Sequence, residues 1–272
     1  MKKAEIIDTT LDNLGRFGLC GYKNPKKEGF PEKAEWLGLR FKEGLKIKTL
    51  YFEEDGAQGM IEYVPGEKCW RPVYARGYMF IHCLFTGFKK EYKGHGYGSR
   101  LIEECLLDAK MYDMLGAAVV TRKGSFMSGS EIFLKNGFEV VDSAPPDFEL
   151  LVKKFKKSHP NPKFKRNWEH IPDKYSDGLF IIRADQCPYT IKNVKEIAQA
   201  AADDFGITAN IIDLETAEEA QESPCPFGIF CIIYNGAIVA DHPVSATRFK
   251  NIIGGLLNPK KKAAPKKKLQ KA

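Results

Sequence analysis

Three glycines within six residues, Lys93-Gly94-His95-Gly96-Tyr97-Gly98, lie between an apolar run and an amphipathic one. Glycine takes φ > 0 without steric cost and lets the backbone come close to a ligand. The first turn of a helix carries N–H groups that have no helical acceptor, so such a turn can gather several donors around one anion. The chemistry implied is capture of a phosphate. A second stretch, Cys187-Pro188-Tyr189-Thr190, places a thiol just ahead of an apolar-periodic segment. At a helix N-terminus the amides stabilise a thiolate, so the pKa of Cys187 is expected to fall.

The elements that must position the glycine loop are legible on both sides. Upstream, Gly77–Phe85 is aromatic and β-branched enough to be a buried strand. Downstream, Leu101, Ile102, Cys105, Leu106 and Ala109 form one helical face, leaving Glu103, Glu104 and Asp108 for solvent. No Gly-Lys-Ser/Thr follows, which excludes a Walker loop. No acidic residue ends a following strand at Met114 to Val120, which excludes a dinucleotide fingerprint.

The spacing instead resembles the acyl-CoA loop of the GNAT acetyltransferase superfamily, Arg/Gln-x-x-Gly-x-Gly/Ala, with Lys93 in the first place. A lysine meets a phosphate as a point charge and lacks the guanidinium fork. The strand Ala117–Thr121 and the run Ile132-Phe133-Leu134-Lys135-Asn136-Gly137-Phe138-Glu139 are similar to the segments that close the family's fold. The resemblance covers about residues 1–157 and implies acetyl-CoA as co-substrate. It implies that Lys93, Gly94, His95, Gly96, Tyr97, Gly98, Ser99 and Arg100 hold the pyrophosphate, and that the backbone of Phe85, Thr86 and Phe88 aligns the thioester.

The rest of the first part follows in the family's order. Ala4–Thr9 is an expected strand, Thr10 caps a helix from Leu11, and Phe17–Phe30 is a loop. Pro31 opens a helix that Gly44 stops, and Lys46–Glu53 and Gln58–Val64 are strands joined by Asp55-Gly56. Trp70 is either a lining residue of the acceptor site or a core side chain. Strands Phe138–Val141 and Phe148–Val152 flank Pro145-Pro146.

From Lys154 to Asp177 the composition shifts to Lys, Pro, His and Asn, as in a linker. Beyond it the order β-α-β-β-β-α, with a cysteine at the start of the first helix and Asn235-Gly236 as a hairpin turn, resembles a thioredoxin-like fold. As a whole the chain resembles acetyltransferases that carry a YoaP-like C-terminal domain. The expected fold class is α+β. A GNAT acyl-CoA-binding fold, with a mixed, mostly antiparallel central sheet and flanking helices, is followed by a small α/β thioredoxin-like domain. The expected boundaries are 1–157, a linker at 158–177, 178–258, and a Lys-rich tail at 259–272 that cannot bury enough apolar surface to fold.

Composition bounds the function classes. The 272 residues carry a formal charge of +7, but seven lysines lie beyond Pro259 and the remainder is near neutral. No specific nucleic-acid surface is implied. No apolar run approaches a membrane span, the N-terminus turns acidic too early for a signal peptide, and seven cysteines at irregular spacing fit reduced thiols. A cytoplasmic location and no membrane partner are expected, and a homodimer is an open state.

For chemistry, histone-type members of the superfamily place a Glu eleven residues before the loop, a position held here by His82. His82 and, on the neighbouring strand, Glu62 are therefore the candidate bases. The tyrosine that many members use as general acid is Phe133 here, which leaves water, Tyr97, Ser128 or Ser130 to protonate the thiolate. Cys187 is a candidate redox thiol, because its motif differs from a glutaredoxin dithiol only at Thr190. No two-by-two cysteine spacing supports zinc, so no metal site is expected. The expected function is acetyl-CoA-dependent transfer of an acetyl group to a small amine acceptor. The alternative is a thiol- or metal-responsive binding protein built on a degenerate CoA-binding domain.

Overall fold

Asp55 and Gly56 turn the chain between its two longest early strands, Gly56 at φ +74° where a side chain would be strained. The strands are β2 (Lys46–Phe52) and β3 (Gly56–Pro65), and β1 (Ala4–Thr9) adds antiparallel to β2. The computed structural model describes residues 4–22, 24–87, 90–124 and 126–258. Phe88, one of the residues expected at the thioester, and the Lys-rich tail lie outside the described residues.

Two helices follow β1, a single turn α1 (Leu14–Phe17) and α2 (Phe30–Arg40), and Gly44 at φ +90° ends the helical segment as expected. The helix expected from Leu11 is instead a short 3-10 turn that runs into α1. After β4 (Val73–Tyr74) come β5 (Met79–Thr86), α3 (Tyr97–Met111), β6 (Gly116–Thr121), α4 (Glu131–Lys135), β7 (Glu139–Ala144) and β8 (Phe148–Lys154). The sheet order is β1-β2-β3-β5-β6-β8-β7, and every pair is antiparallel except β5–β6. The mixed, mostly antiparallel central sheet and the α+β class are borne out.

α3 lies across one face of this sheet. Leu101, Ile102, Cys105 and Ala109 are fully buried against Leu50, Ile61, Tyr63, Met79 and Ile81. Each such aliphatic side chain contributes ~1.5–3 kcal/mol of burial. Gly98 lets the helix pack closely on α4: a Cβ there would meet Ile132 Cδ1, and that side chain would have to shift.

The C-terminal part has a four-stranded sheet, β11-β10-β12-β13: β10 (Leu179–Arg183), β11 (Ala209–Asp213), β12 (Phe230–Tyr234) and β13 (Ala237–Ala240). β10 is parallel to β11 and antiparallel to β12. α5 (Thr190–Phe205) and α7 (Ala246–Leu257) pack on it. A further short helix, α6 (Ala217–Gln221), is capped by Thr216 and Glu219, each accepting from the other's backbone N–H.

The segment that composition marks as a linker is packed in place. Its strand β9 (Lys163–Phe164) pairs with β4, and Phe164 and Tyr175 are buried. One continuous core, including Leu37, Trp70, Phe148, Leu179, Phe227 and Phe230, runs from the second face of the large sheet into the small one. The two sheets are therefore joined through apolar packing, and this contact brings C-terminal residues to a site on the first sheet.

Candidate active site

The site begins with a divergence of strands. β5 pairs with β3 along its full length, from Met79 to Thr86, but with β6 only over Met79–Ile81. Beyond Ile81, β6 offers β5 no ladder partner, although it stays paired with β8 as far as Thr121. A cavity of about 650 Å³ opens in this gap, lined by β5 from Ile81 to Thr86, by Val119 and Val120, by Met127, Ser128 and Phe133, and by Cys20, Cys187 and Tyr189.

The glycine loop stands at the same end of β5. Gly94 (φ +81°) and Gly96 (φ +76°) take left-handed conformations, with open space where a Cβ would be. Gly96 is the N-cap of α3, so the amides of Tyr97, Gly98 and Ser99 have no helical acceptor. Lys93 and His95 are exposed on the loop. Tyr97 packs edge-on against Phe52, Ser99 accepts from Asn136 Nδ2 at 3.0 Å, and Arg100 donates to the Ala4 carbonyl at 3.4 Å. The backbone geometry of the loop thus fits a pyrophosphate, and the Arg100 side chain is turned toward β1.

His82 and Glu62 meet, as neighbouring strands allow, but in a buried network. Glu62 Oε2 accepts from Lys33 Nζ of α2 at 2.5 Å, and Oε1 accepts from Gln186 Nε2 at 2.9 Å. Trp70 N–H donates to His82 Nε2 at 2.9 Å, which fixes the proton on Nδ1, 3.2 Å from Glu62 Oε1. Gln186 Oε1 in turn accepts from Arg71 Nη1 at 2.9 Å. Burial drives Glu62 toward the neutral acid, yet Lys33 and His82 outweigh it and hold the carboxyl at about 2. Burial depresses His82 to about 4 against the pull of Glu62.

Both candidate bases are consequently committed. The lone pair of His82 is occupied by a backbone N–H, and both Glu62 oxygens accept from protein donors. In this arrangement they orient the strand and do not present a free proton acceptor to the cavity. Trp70 is fully buried with its ring 5.1 Å from Trp36, so it belongs to the core and not to the cavity lining. Phe133 does line the cavity, at the place where a proton-donating tyrosine was looked for. Ser128 Oγ donates to the Leu84 carbonyl at 2.6 Å.

Cys187 contradicts the pKa expected for it. Its thiol faces the cavity ahead of α5, and burial, with Cys20 nearby, pushes it up to about 12. The amide of Tyr189 acts in the expected direction but is the weaker influence. Thr190 Oγ1, in place of a resolving thiol, donates to the Cys187 carbonyl at 2.8 Å. Two further thiols line the same cavity: Cys20 and Cys83 are hydrogen-bonded to each other, and that contact together with burial raises Cys20. Cys225 and Cys231 are hydrogen-bonded elsewhere in the core. Among the described residues no group of three His, Cys, Asp or Glu is placed to hold a metal.

Lys33, Gln186, Cys20, Cys83 and Tyr189 are the site residues that sequence reasoning missed. Lys33 carried the one usable signal, a charge on the apolar face of α2. The others arrive through long-range packing; Tyr189 Oη, for example, donates to the Cys20 carbonyl at 2.9 Å across 169 residues of chain.

Residues 209–251 match the YoaP-like family. Over 256 residues the chain is 28% identical to the uncharacterized N-acetyltransferase YoaP of Bacillus subtilis, covering 92% of this chain and 98% of that protein. Among solved structures, the PaiA N-acetyltransferase of Thermoplasma acidophilum in complex with coenzyme A aligns at 17% identity. It covers 56% of this chain and 99% of that one, with a TM-score of 0.41. The GNAT family N-acetyltransferase YhbS of Escherichia coli in complex with CoA aligns at 12% identity over 63% of this chain and 95% of that one, with a TM-score of 0.40. The resemblance to an N-acetyltransferase with a YoaP-like C-terminal part stands. No helix among the described residues is long and apolar enough to cross a membrane.

Proposed function

We propose that the chain is an acetyl-CoA-dependent N-acetyltransferase whose acceptor is a small amine. The observation that carries this reading is the gap between β5 and β6, opening beside a helix whose N-terminus ends in a left-handed glycine loop. A nucleotide phosphate at the loop and a thioester in the gap would be held by one strand and the helix that follows it. The 28% identical relative bears the name of an N-acetyltransferase, which points the same way.

Residues of this chain divide the work as follows. Amides at Tyr97–Ser99 and the open backbone of Gly94 and Gly96 take the pyrophosphate, with Lys93 as a nearby cation. Strand β5 from Phe85 onward aligns the thioester. The amine lone pair attacks the thioester carbonyl carbon, the C–N bond forms, and the C–S bond breaks with its electron pair leaving on sulfur. The amine proton ends on the CoA thiol or in water. His82 and Glu62 serve this reaction by fixing β5 against β3. Through Gln186 they also tie the C-terminal part to the site.

Calorimetric titration with acetyl-CoA tests the reading. Micromolar binding is expected, and it should be lost in Gly96→Glu, where a carboxylate faces the pyrophosphate and a side chain is strained at φ +76°. Absence of binding to the unaltered chain would refute the transferase reading.

A further inference from the structure

The walls of the cavity are unusual for a site that must receive an amine. None of the fifteen described residues lining it carries a formal charge at neutral pH. His82 is neutral and has its ring nitrogens engaged by Trp70 and Glu62. Glu62, which contacts the lining residue His82, is 1% exposed and is already held by Lys33, Gln186 and His82. Cys20, through its contact with Cys83 and its burial, and Cys187, through burial, are kept as neutral thiols. Two of the lining hydroxyls are committed, Ser128 to the Leu84 carbonyl and Tyr189 to the Cys20 carbonyl.

An alkylammonium ion entering this space would give up its hydration and meet no carboxylate, a placement that proteins avoid. It would also need deprotonation before attack, and the geometry offers no free base for it. With an ordinary amine pKa near 10.4, only about one molecule in 10³ is neutral at pH 7. A weakly basic amine meets neither obstacle. The cavity also suits an aromatic body: Phe85, Phe133, Phe126 and Tyr189 line it. Tyr22 stands edge-on to Tyr189 at 4.7 Å, and Phe126 stands at 6.5 Å from it. Thiols and the Met127 thioether supply polarisable contacts for a ring.

We infer that the acceptor is an uncharged, weakly basic amine on an aromatic body, an arylamine and not an alkylammonium compound; this rests on the transferase reading above. The reaction is balanced without oxidant or base. The arylamine nitrogen forms a C–N bond to the acetyl carbon, the C–S bond breaks, and the displaced N–H proton leaves with the CoA thiol. Low basicity removes the need for the proton acceptor that His82 and Glu62 do not provide.

Two isomeric probes, 4-methylaniline and benzylamine, differ chiefly in basicity and decide the question. The full chain is assayed with saturating acetyl-CoA, and acetylated product is quantified chromatographically between pH 7 and 9. For 4-methylaniline, kcat/KM should be flat with pH and exceed that of benzylamine by ~10² at pH 7. Benzylamine should gain about tenfold per pH unit, following its neutral fraction. In Cys187→Asp, a carboxylate in the cavity should shift selectivity toward benzylamine at least tenfold; Met127→Glu serves if that variant fails to fold. Benzylamine preferred at pH 7, or a flat benzylamine profile, would overturn the inference, as would turnover of neither probe. In each of those cases acetyl-CoA binding by calorimetry keeps the transferase reading intact, whereas its absence removes both.

Discussion

Replacing Lys33 by methionine should cost about 3 kcal/mol of stability at pH 7, and the cost should shrink in acid. Lys33 is completely buried and its ammonium lies 2.5 Å from Glu62, itself 1% exposed. Burial is the largest influence on Glu62 and favours the neutral acid; Lys33 is the largest opposing one, and the result is a pKa near 2 against an ordinary 4.5. At 1.36 kcal/mol per unit, that depression corresponds to about 3 kcal/mol, within the ~3–5 kcal/mol typical of breaking one side of a buried pair. The sign follows from proton linkage. In the native chain the folded pKa lies below the unfolded one, so the stabilisation is present above pH 4.5 and is lost as pH falls toward 2. In Lys33→Met the largest opposing influence is gone and only the hydrogen bonds from His82 and Gln186 still favour the carboxylate, so the folded pKa rises and the stabilisation that depends on it shrinks. Urea unfolding at pH 7 and pH 4.5, followed by far-UV circular dichroism, measures both. Lys33→Met/Glu62→Leu should recover most of the loss, since no uncompensated charge remains. A deficit below about 1 kcal/mol, equal at the two pH values, would refute the reasoning.

Gln186→Leu removes hydrogen bonds to both Glu62 and Arg71 and leaves those groups short of a partner inside the protein. It should cost about 1–3 kcal/mol in urea unfolding, and unchanged unfolding would mean that the tie carries no energy. Cys187, held near pKa 12 by burial, should react with iodoacetamide at pH 7.5 about 10³-fold more slowly in the native protein than in urea. Peptide mass spectrometry reads the two rates, and comparable rates would return Cys187 to the status of a reactive thiol.

Much of the fold was legible from short stretches. The periodicity of Leu101, Ile102, Cys105 and Ala109 located the buried face of α3, although Asp108, which the same pattern left for solvent, is buried and accepts from Tyr63 and Lys46. Asp55-Gly56 located a hairpin, and both signals depend on neighbours along the chain. The helix α6 is legible too, as Thr216-Ala217-Glu218-Glu219 carries a capping box. The linker was not: its composition is polar, and only pairing of β9 with β4 and burial of Phe164 show that it is fastened down. Spacing from the glycine loop pointed to His82 as a base, with Glu62 on the neighbouring strand as the second candidate, and the two are in contact. It could not reveal that Trp70, Lys33 and Gln186 would occupy their proton-accepting atoms.

By itself the sequence determined the left-handed glycine turn that opens α3 and the elements around it. Glycine's access to φ > 0 and the orphan amides of a helix start are properties of adjacent residues. Tertiary structure alone decided the protonation state and the charge of the site. The thiol at 187 was expected to ionise from its place before a helix, but desolvation grows with everything packed around a group, and it outweighed the local amides. The same burial, delivered by α2 and the C-terminal sheet closing over β5, turned two candidate bases into a fixed hydrogen-bonded network. It left the described lining of the cavity without a charge.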